Sequence, residues 1–301
     1  MSGFKRATKK AAKLRLALAG PAGSGKTYTA LTLAKVLADG GEIAVIDTEH
    51  GSASKYADQW GFDVVELDNF SPADYIAAIR AAEQGGYACL IIDSLSHEWN
   101  GRGGILQMVD EAGAQSRGGG SFNAWRFVTP KHDELIQSIV SARMHVICTL
   151  RAKMEYVQER NERTGKMEPR AVGMKPIQRD EVEYEFDVYG MLDQENRLVI
   201  RKSRCPALSG AVIDKPGVDV AAALLDWLAG TPLTPEEREA LESNYAELAD
   251  EAVAFGHPAA DKLGTTKPGD LNDDVLRASV EKLAAWVKAQ RERAAAASAQ
   301  G

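Results

Sequence analysis

The chain has 301 residues, 45% of them hydrophobic and 26% charged, and a net charge of −7. These values are ordinary for a soluble globular protein and allow one large domain plus an appendage. They exclude a membrane span, since no apolar run approaches the roughly 20 residues required. They also exclude DNA binding by whole-chain attraction, so any nucleic-acid contact must come from local basic patches.

Residues 2–13 hold Lys5, Arg6, Lys9, Lys10 and Lys13 with no acid. This segment reads either as a flexible solubilising arm or as an electrostatic contact to nucleic acid. The apolar run after it leads straight into a glycine loop, so the start is expected to be a first strand and not a secretory signal. "LRLALAG" (14–20) is that strand, and Lys26 to Ala38 has helical spacing stopped by Gly40 and Gly41. "IAVIDTEHG" (43–51), "DVVEL" (63–67), "YACLIIDS" (87–94) and "MHVICTL" (144–150) read as further strands. Ser71 and Pro72 start a helix running to about Gln84, with Ser71 as N-cap and Pro72 at the first helical position. A glycine-rich loop at 116–121 precedes a helical run from about Pro130 to Arg143. Strands alternating with helices imply an α/β fold with a mostly parallel sheet covered on both faces.

The pattern changes at 151–181, which is polar, charged and almost free of apolar periodicity; it reads as a functional or disordered loop. "EFDVYGMLD" and "RLVIRKSR" flank "QEN" as a hairpin, and 218–230 is a helix. Residues 231–237 resemble a linker, followed by amphipathic helices and an Ala-rich tail expected to be disordered. The expected organisation is a basic arm (1–13), an α/β core (14–230) and a helical extension (231–301). Cys89, Cys148 and Cys205 lie far apart, with no zinc-type spacing; buried free thiols in a reducing, cytoplasmic compartment are the expectation.

The chemistry starts at Gly20, Gly25, Lys26 and Thr27, which complete the pattern G-x-x-x-x-G-K-[ST] between a strand and a helix. The glycines let the backbone of Gly20, Pro21, Ala22, Gly23, Ser24 and Gly25 turn its N–H groups toward phosphate oxygens, and the helix adds its positive end. Lys26 reaches the β- and γ-phosphates of ATP, Thr27 offers a hydroxyl to Mg²⁺, and Tyr28 follows at the site. Apolar residues run into Asp93 at a strand's C-terminal end, where open α/β sheets bind ligands; it is the second magnesium-holding residue. Motor ATPases of the AAA+ class carry a catalytic Glu directly after that Asp, but this chain has Ser94. The base must come from elsewhere. Glu49 ends a neighbouring strand and can face the γ-phosphate, whereas Glu98 reads as a capping or packing residue.

With "GPAGSGKT", "VIDTEHGSASKYADQWGFD" and "LIIDS" in that order, the chain resembles the RecA-type recombinase core over about 14–215. More narrowly, it is similar to phage-encoded RecA-core ATPases that bind single strands and promote annealing or recombination. The resemblance implies Glu49 as the catalytic carboxylate and a cytoplasmic site of action, in the host if phage-encoded. It implies a γ-phosphate sensor at the end of "HVICTL"; the family's amide is absent there, so Thr149 and Arg151 stand in weakly. It maps a DNA-binding loop onto 152–180, with Lys153, Arg160, Arg163, Lys166, Arg170 and Lys175 for phosphates and Tyr156 for stacking; a solvated charged loop is the alternative. It also maps a cation pair that reaches the neighbouring subunit's ATP onto Lys202 and Arg204. At i and i+2 on a strand these share one face, and a hairpin's wet face explains them equally. The implied partners are single-stranded DNA, further copies of the chain as ring or filament, and a single-strand-binding protein. The expected function is an ATP-hydrolysing, DNA-stimulated recombination protein. A helicase or packaging motor on the same core, or a P-loop kinase with 151–181 as lid, are the alternatives.

Overall fold

The computed structural model describes residues 12–115, 121–160, 166–229, 233–271 and 273–298. Lys5, Arg6, Lys9, Lys10 and most of the glycine-rich stretch lie outside them. In chain order the elements are β1 (Arg15–Gly20), α1 (Lys26–Leu37), β2 (Ile43–Asp47), β3 (Asp63–Glu66), α2 (Pro72–Gly85), β4 (Cys89–Asp93), α3 (Ser96–Asn100), α4 (Ile105–Gln115) and α5 (Ser121–Ser141). They continue with β5 (His145–Arg160), β6 (Met167–Pro176), β7 (Val188–Leu192), β8 (Arg197–Ser203), β9 (Val212–Asp214), α6 (Val218–Leu228), α7 (Pro235–Ala254), α8 (Ala260–Thr265) and α9 (Asp273–Ser298). Contacts divide the chain into two compact units, Lys13–Trp227 and the helical region from Leu228 onward.

One sheet runs through the first unit in the order β3-β2-β4-β5-β1-β7-β8-β9. β3 through β7 are parallel, whereas β8 and β9 add antiparallel at the far edge. β1, β2 and β4 are buried at every position. That burial is why their sequences are continuous apolar runs and do not alternate. β3 is the opposite edge, and its Val64 and Val65 are exposed. Tyr75, Ile76, Ile79 and Ala82 give α2 a buried stripe at helical spacing. The α2 start follows its sequence: Ser71 Oγ accepts from Asp74 N–H, and Pro72 sits in the first turn. Arg15, at the start of β1, is buried and donates to the carbonyls of Leu14, Val140, Ala142 and Met144, tying the strand to the end of α5.

Three expectations are corrected. The helix placed at Pro130 begins at Ser121 and carries Pro130 in its interior. An interior Pro costs about 3 kcal/mol, and here the helix is held on both sides of it, by buried Ala124 and Val128 before and Leu135, Ile136 and Ile139 after. Residues 151–181 are not a loop: β5 continues to Arg160 and pairs antiparallel with β6, with a register shift between Glu155 and Tyr156. This two-stranded ribbon is exposed along most of its length, so no buried face wrote a period-2 pattern into it. The Ala-rich tail is helical through Ser298, as the end of α9.

In the second unit α7 buries Tyr245, Ala249 and Ala252, while α9 buries Leu276, Val280, Leu283 and Val287. The α7 start is a capping box between Thr234 and Glu237.

His145 is a buried histidine whose Nδ1 accepts from Leu14 N–H at 3.1 Å. Burial, with Lys13 and Arg15 nearby, lowers its pKa from 6.5 to about 4. The unfolded chain therefore takes up a proton below its ordinary pKa that the native state refuses. Stability from this group is complete above pH 6.5 and is lost as pH falls toward 4, at a cost of about 3 kcal/mol. Replacing His145 with Asn, which keeps an acceptor but cannot titrate, should flatten the acid side of the melting temperature against pH relative to wild type.

Candidate active site

The loop between β1 and α1 curls because two of its glycines allow it. Gly25 adopts φ 81 as the N-cap of α1, a conformation that L side chains rarely take. Gly20 is packed so closely that an added Cβ would lie 2.5 Å from Ser24 Oγ and 2.7 Å from the Leu192 carbonyl oxygen. Lys26 Nζ donates to the Pro21 carbonyl at 2.9 Å, and its ammonium pKa is lowered by burial in spite of Asp93 and Glu49. Ser24 Oγ is buried with no hydrogen-bond partner. An orphan hydroxyl, a folded-back lysine and a helix N-terminus together suit a phosphate chain.

Asp93 closes the site from the end of β4. Its Oδ2 accepts from Thr27 Oγ1 at 2.6 Å and its Oδ1 from Thr149 Oγ1 at 2.5 Å. Burial raises the carboxyl's pKa against both hydrogen bonds. A divalent cation binding here would favour the ionised form and find hard oxygen ligands, so Thr27 and Asp93 fit magnesium. The peptide bond from Asp93 to Ser94 is cis.

Glu49 stands beyond the end of β2, and its position is built by neighbours that the motif reading passed over. The buried Asp47 carboxylate accepts from Glu49 N–H at 2.6 Å and from Ala53 N–H at 3.0 Å. This is an Asx-type turn, which an Asp two residues before the Glu signals in sequence. Thr48 Oγ1 accepts from Ser94 N–H at 2.8 Å and contacts His97 Nδ1 at 2.7 Å, joining the ends of β2 and β4. Ser94 Oγ donates to Glu49 Oε1 at 3.4 Å. Arg151 grips the same carboxylate with two N–H donors, Nε at 2.7 Å and Nη2 at 2.5 Å. Burial pushes the Glu49 carboxyl up, but the Arg151 pairing outweighs it and holds the group below the usual carboxylate range.

Tyr28 is half exposed and makes edge contacts to Tyr56 at 6.0 Å and Trp60 at 4.8 Å, forming an aromatic face beside the loop. Glu98 is fully buried. It pairs with His132 Nδ1 at 2.9 Å and accepts from Gln178 Nε2 at 3.0 Å. Gln178 also donates to the Leu95 carbonyl at 3.2 Å, so the foot of β6 is bolted to the segment following Asp93.

The ribbon carries the expected DNA-binding residues. Lys153 and Tyr156 lie on β5, Arg170 and Lys175 on β6, and Lys166 just before β6. Arg160 ends β5, whereas Arg163 lies outside the described residues. Acids answer some of these cations: Arg170 pairs with Glu159 at 2.8 Å, and Lys175 with Asp180 at 2.8 Å and Glu155 at 3.4 Å. Lys202 and Arg204 do not converge on an open site within this chain. Lys202 Nζ donates to the carbonyls of Glu183, Tyr184 and Phe186, and Arg204 pairs with Asp187 at 3.0 Å. Lys202 is capped by three carbonyls, whereas Arg204, more exposed, is held by one carboxylate.

The glycine geometry gives opposite signs for one chemical change. Gly20→Ala drives a methyl into a backbone oxygen and should destabilise the fold by about 1–3 kcal/mol. Gly113→Ala, inside α4 with nothing within 4 Å of the new Cβ, should stabilise it by about 0.5–1 kcal/mol. Denaturant titration of both variants reads the difference.

Among solved structures the chain is similar to the RadB recombinase at 18% identity and a TM-score of 0.39, over 67% of this chain and 89% of that one. No curated protein sequence matches it. Among the described residues no helix is long and apolar enough to cross a membrane, and no group of three or more His, Cys, Asp or Glu side chains is arranged to hold a metal. Residues 12–210 match the AAA domain family. Ser94 departs from the Glu that AAA+ motors carry at this place, but the match spans well over half the chain, from before the phosphate loop to beyond Lys202 and Arg204: the chain belongs to the AAA domain family.

Proposed function

We propose that the chain is an ATP-hydrolysing protein that binds single-stranded DNA on its β-ribbon and promotes annealing or strand pairing. The observation that carries this reading is the course of β5. The same strand presents Thr149 to Asp93, presents Arg151 to Glu49, and then leaves the sheet as one side of the basic ribbon. DNA held on the ribbon thereby acts on the residues that face the nucleotide. Family membership supports the nucleotide half of the proposal.

In this mechanism the loop N–H groups, Ser24 and Lys26 hold the phosphates, with Lys26 exchanging the Pro21 carbonyl for phosphate oxygen. Magnesium, when bound at Thr27 and Asp93, supplies charge neutralisation for the phosphate oxygens. Glu49 orients and polarises the attacking water. Glu49 can do so only when its oxygens are released from the two Arg151 donors, which leaves Arg151 free to turn toward the charge developing on phosphate. Assembly with ATP between copies brings Arg204 to the neighbouring site. Lys202 supports the 3₁₀ turn that precedes β7 and helps only indirectly.

Steady-state ATPase assays with and without single-stranded DNA test this reading. DNA should raise the rate severalfold, and an unchanged rate would count against the proposal. Lys26→Ala should weaken ATP binding by about 10- to 100-fold, the loss of a charge-assisted contact. Arg204→Ala should keep ATP binding but lose hydrolysis, and mixing it with Lys26→Ala should restore part of the rate. Arg151→Gln removes the donors that depress the Glu49 carboxyl, so the acid limb of the rate profile should move to higher pH.

A further inference from the structure

Away from the phosphate loop, α3 and α5 bring two indoles together. The Trp99 and Trp125 rings stack with centroids 5.8 Å apart and planes 29° from parallel. Both rest, half buried, on a small apolar cluster of Ile105, Val109, Ala124 and Val128. The cluster anchors the rings without covering them: they wall an open cavity of about 790 Å³, whose other side is the ribbon with Lys153, Tyr156 and Lys175. Gln178, which also lines the cavity, is buried and tied to Glu98 and the Leu95 carbonyl.

The chemistry of this cavity points to one kind of ligand. Lys153 makes no ion pair among the described residues, while Lys175, its cross-strand partner, is answered by Asp180. Tyr156 is 63% exposed. An apolar peptide would leave the Lys153 ammonium desolvated without a partner. Duplex DNA keeps its bases stacked inside and cannot offer them to a slot. An unpaired base offers a flat π-face to the indoles and its phosphate to Lys153. We propose that the Trp99–Trp125 slot takes an unpaired nucleobase of a single strand, with Lys153 on the adjoining phosphate and Tyr156 as the closing ring. This rests on the reading that the ribbon binds single-stranded DNA, and it places the base-dependent part of that binding in the slot.

The test compares two fluorescein-labelled strands of about 20 nucleotides on the full chain by anisotropy, one of thymidines and one of the same length made of abasic sites. The wild type should bind the thymidine strand at least about fivefold more tightly, since stacking on aromatic side chains strengthens binding by that much or more per base. Trp99→Leu and Trp125→Leu should abolish the difference, and Trp99→Phe should keep much of it. If either Leu variant fails to fold, exposed Tyr156→Ala serves in its place and should narrow the difference. Equal binding of both strands by the wild type overturns the slot while leaving backbone binding on the ribbon intact. A base preference that survives both Leu variants, folded, also overturns it. Binding of neither strand overturns the slot and the single-strand reading together.

Discussion

Everything at the nucleotide site hangs on one buried carboxylate. Asp93 sits at the C-terminal end of a central parallel strand and accepts hydroxyl hydrogen bonds from Thr27 on α1 and Thr149 on β5. A buried carboxylate without partners would be too costly to keep charged. The two hydroxyls make it tolerable, and in doing so they set the distance between the phosphate loop and the strand beside it. The order β4-β5-β1 then has a clear consequence. β5 lies between the strand that carries Asp93 and the strand that feeds the loop, so nothing can shift β5 without being felt on both sides.

β5 also changes character along its length. His145 to Leu150 is buried between two neighbours, and the stretch from Arg151 outward is solvent-facing ribbon. Arg151 marks the transition, and it spends its guanidinium on Glu49. The Gln178 amide performs a parallel task at the foot of β6, holding the returning strand to Leu95 and to the buried Glu98–His132 pair. The ribbon is thus clamped at one root to Glu49 and at the other to residues that follow Asp93. The Gln178 clamp is buried, and buried polar clamps add little net stability but tolerate no partial occupancy, which makes them effective at fixing a single geometry.

The electrostatics are local. Within a chain of net charge −7, two ribbon cations, Arg170 and Lys175, are matched by acids. On the reading that this ribbon holds a single strand, charge supplies only part of the attraction at physiological salt. On the proposed reading, the aromatic rings Trp99, Trp125 and Tyr156 would provide a contribution that salt does not screen.

The phosphate loop, the buried strands, the capped α2 and the β7–β8 hairpin were legible in the sequence because each depends on short-range rules: glycine spacing, continuous apolar runs, a Ser-Pro start, two apolar strands flanking a polar turn. Asp93 and Glu49 were legible as strand-end carboxylates, but their partners were not. Thr149 reaches Asp93 and Arg151 reaches Glu49 across strand neighbours, and strand order is not written in any local pattern. The ribbon escaped for a related reason. Its two strands are held by pairing with each other, not by a buried face, so no periodic apolar signal exists to be read. Lys202 looked like a free cation on a strand, yet three carbonyls that surround it come from a turn 16 to 19 residues earlier. The sequence by itself determined which chemical groups the chain possesses and which segments must be buried. Only the tertiary structure decided which groups meet, because a hydrogen bond between residues dozens of positions apart depends on how the sheet is ordered and not on the residues alone.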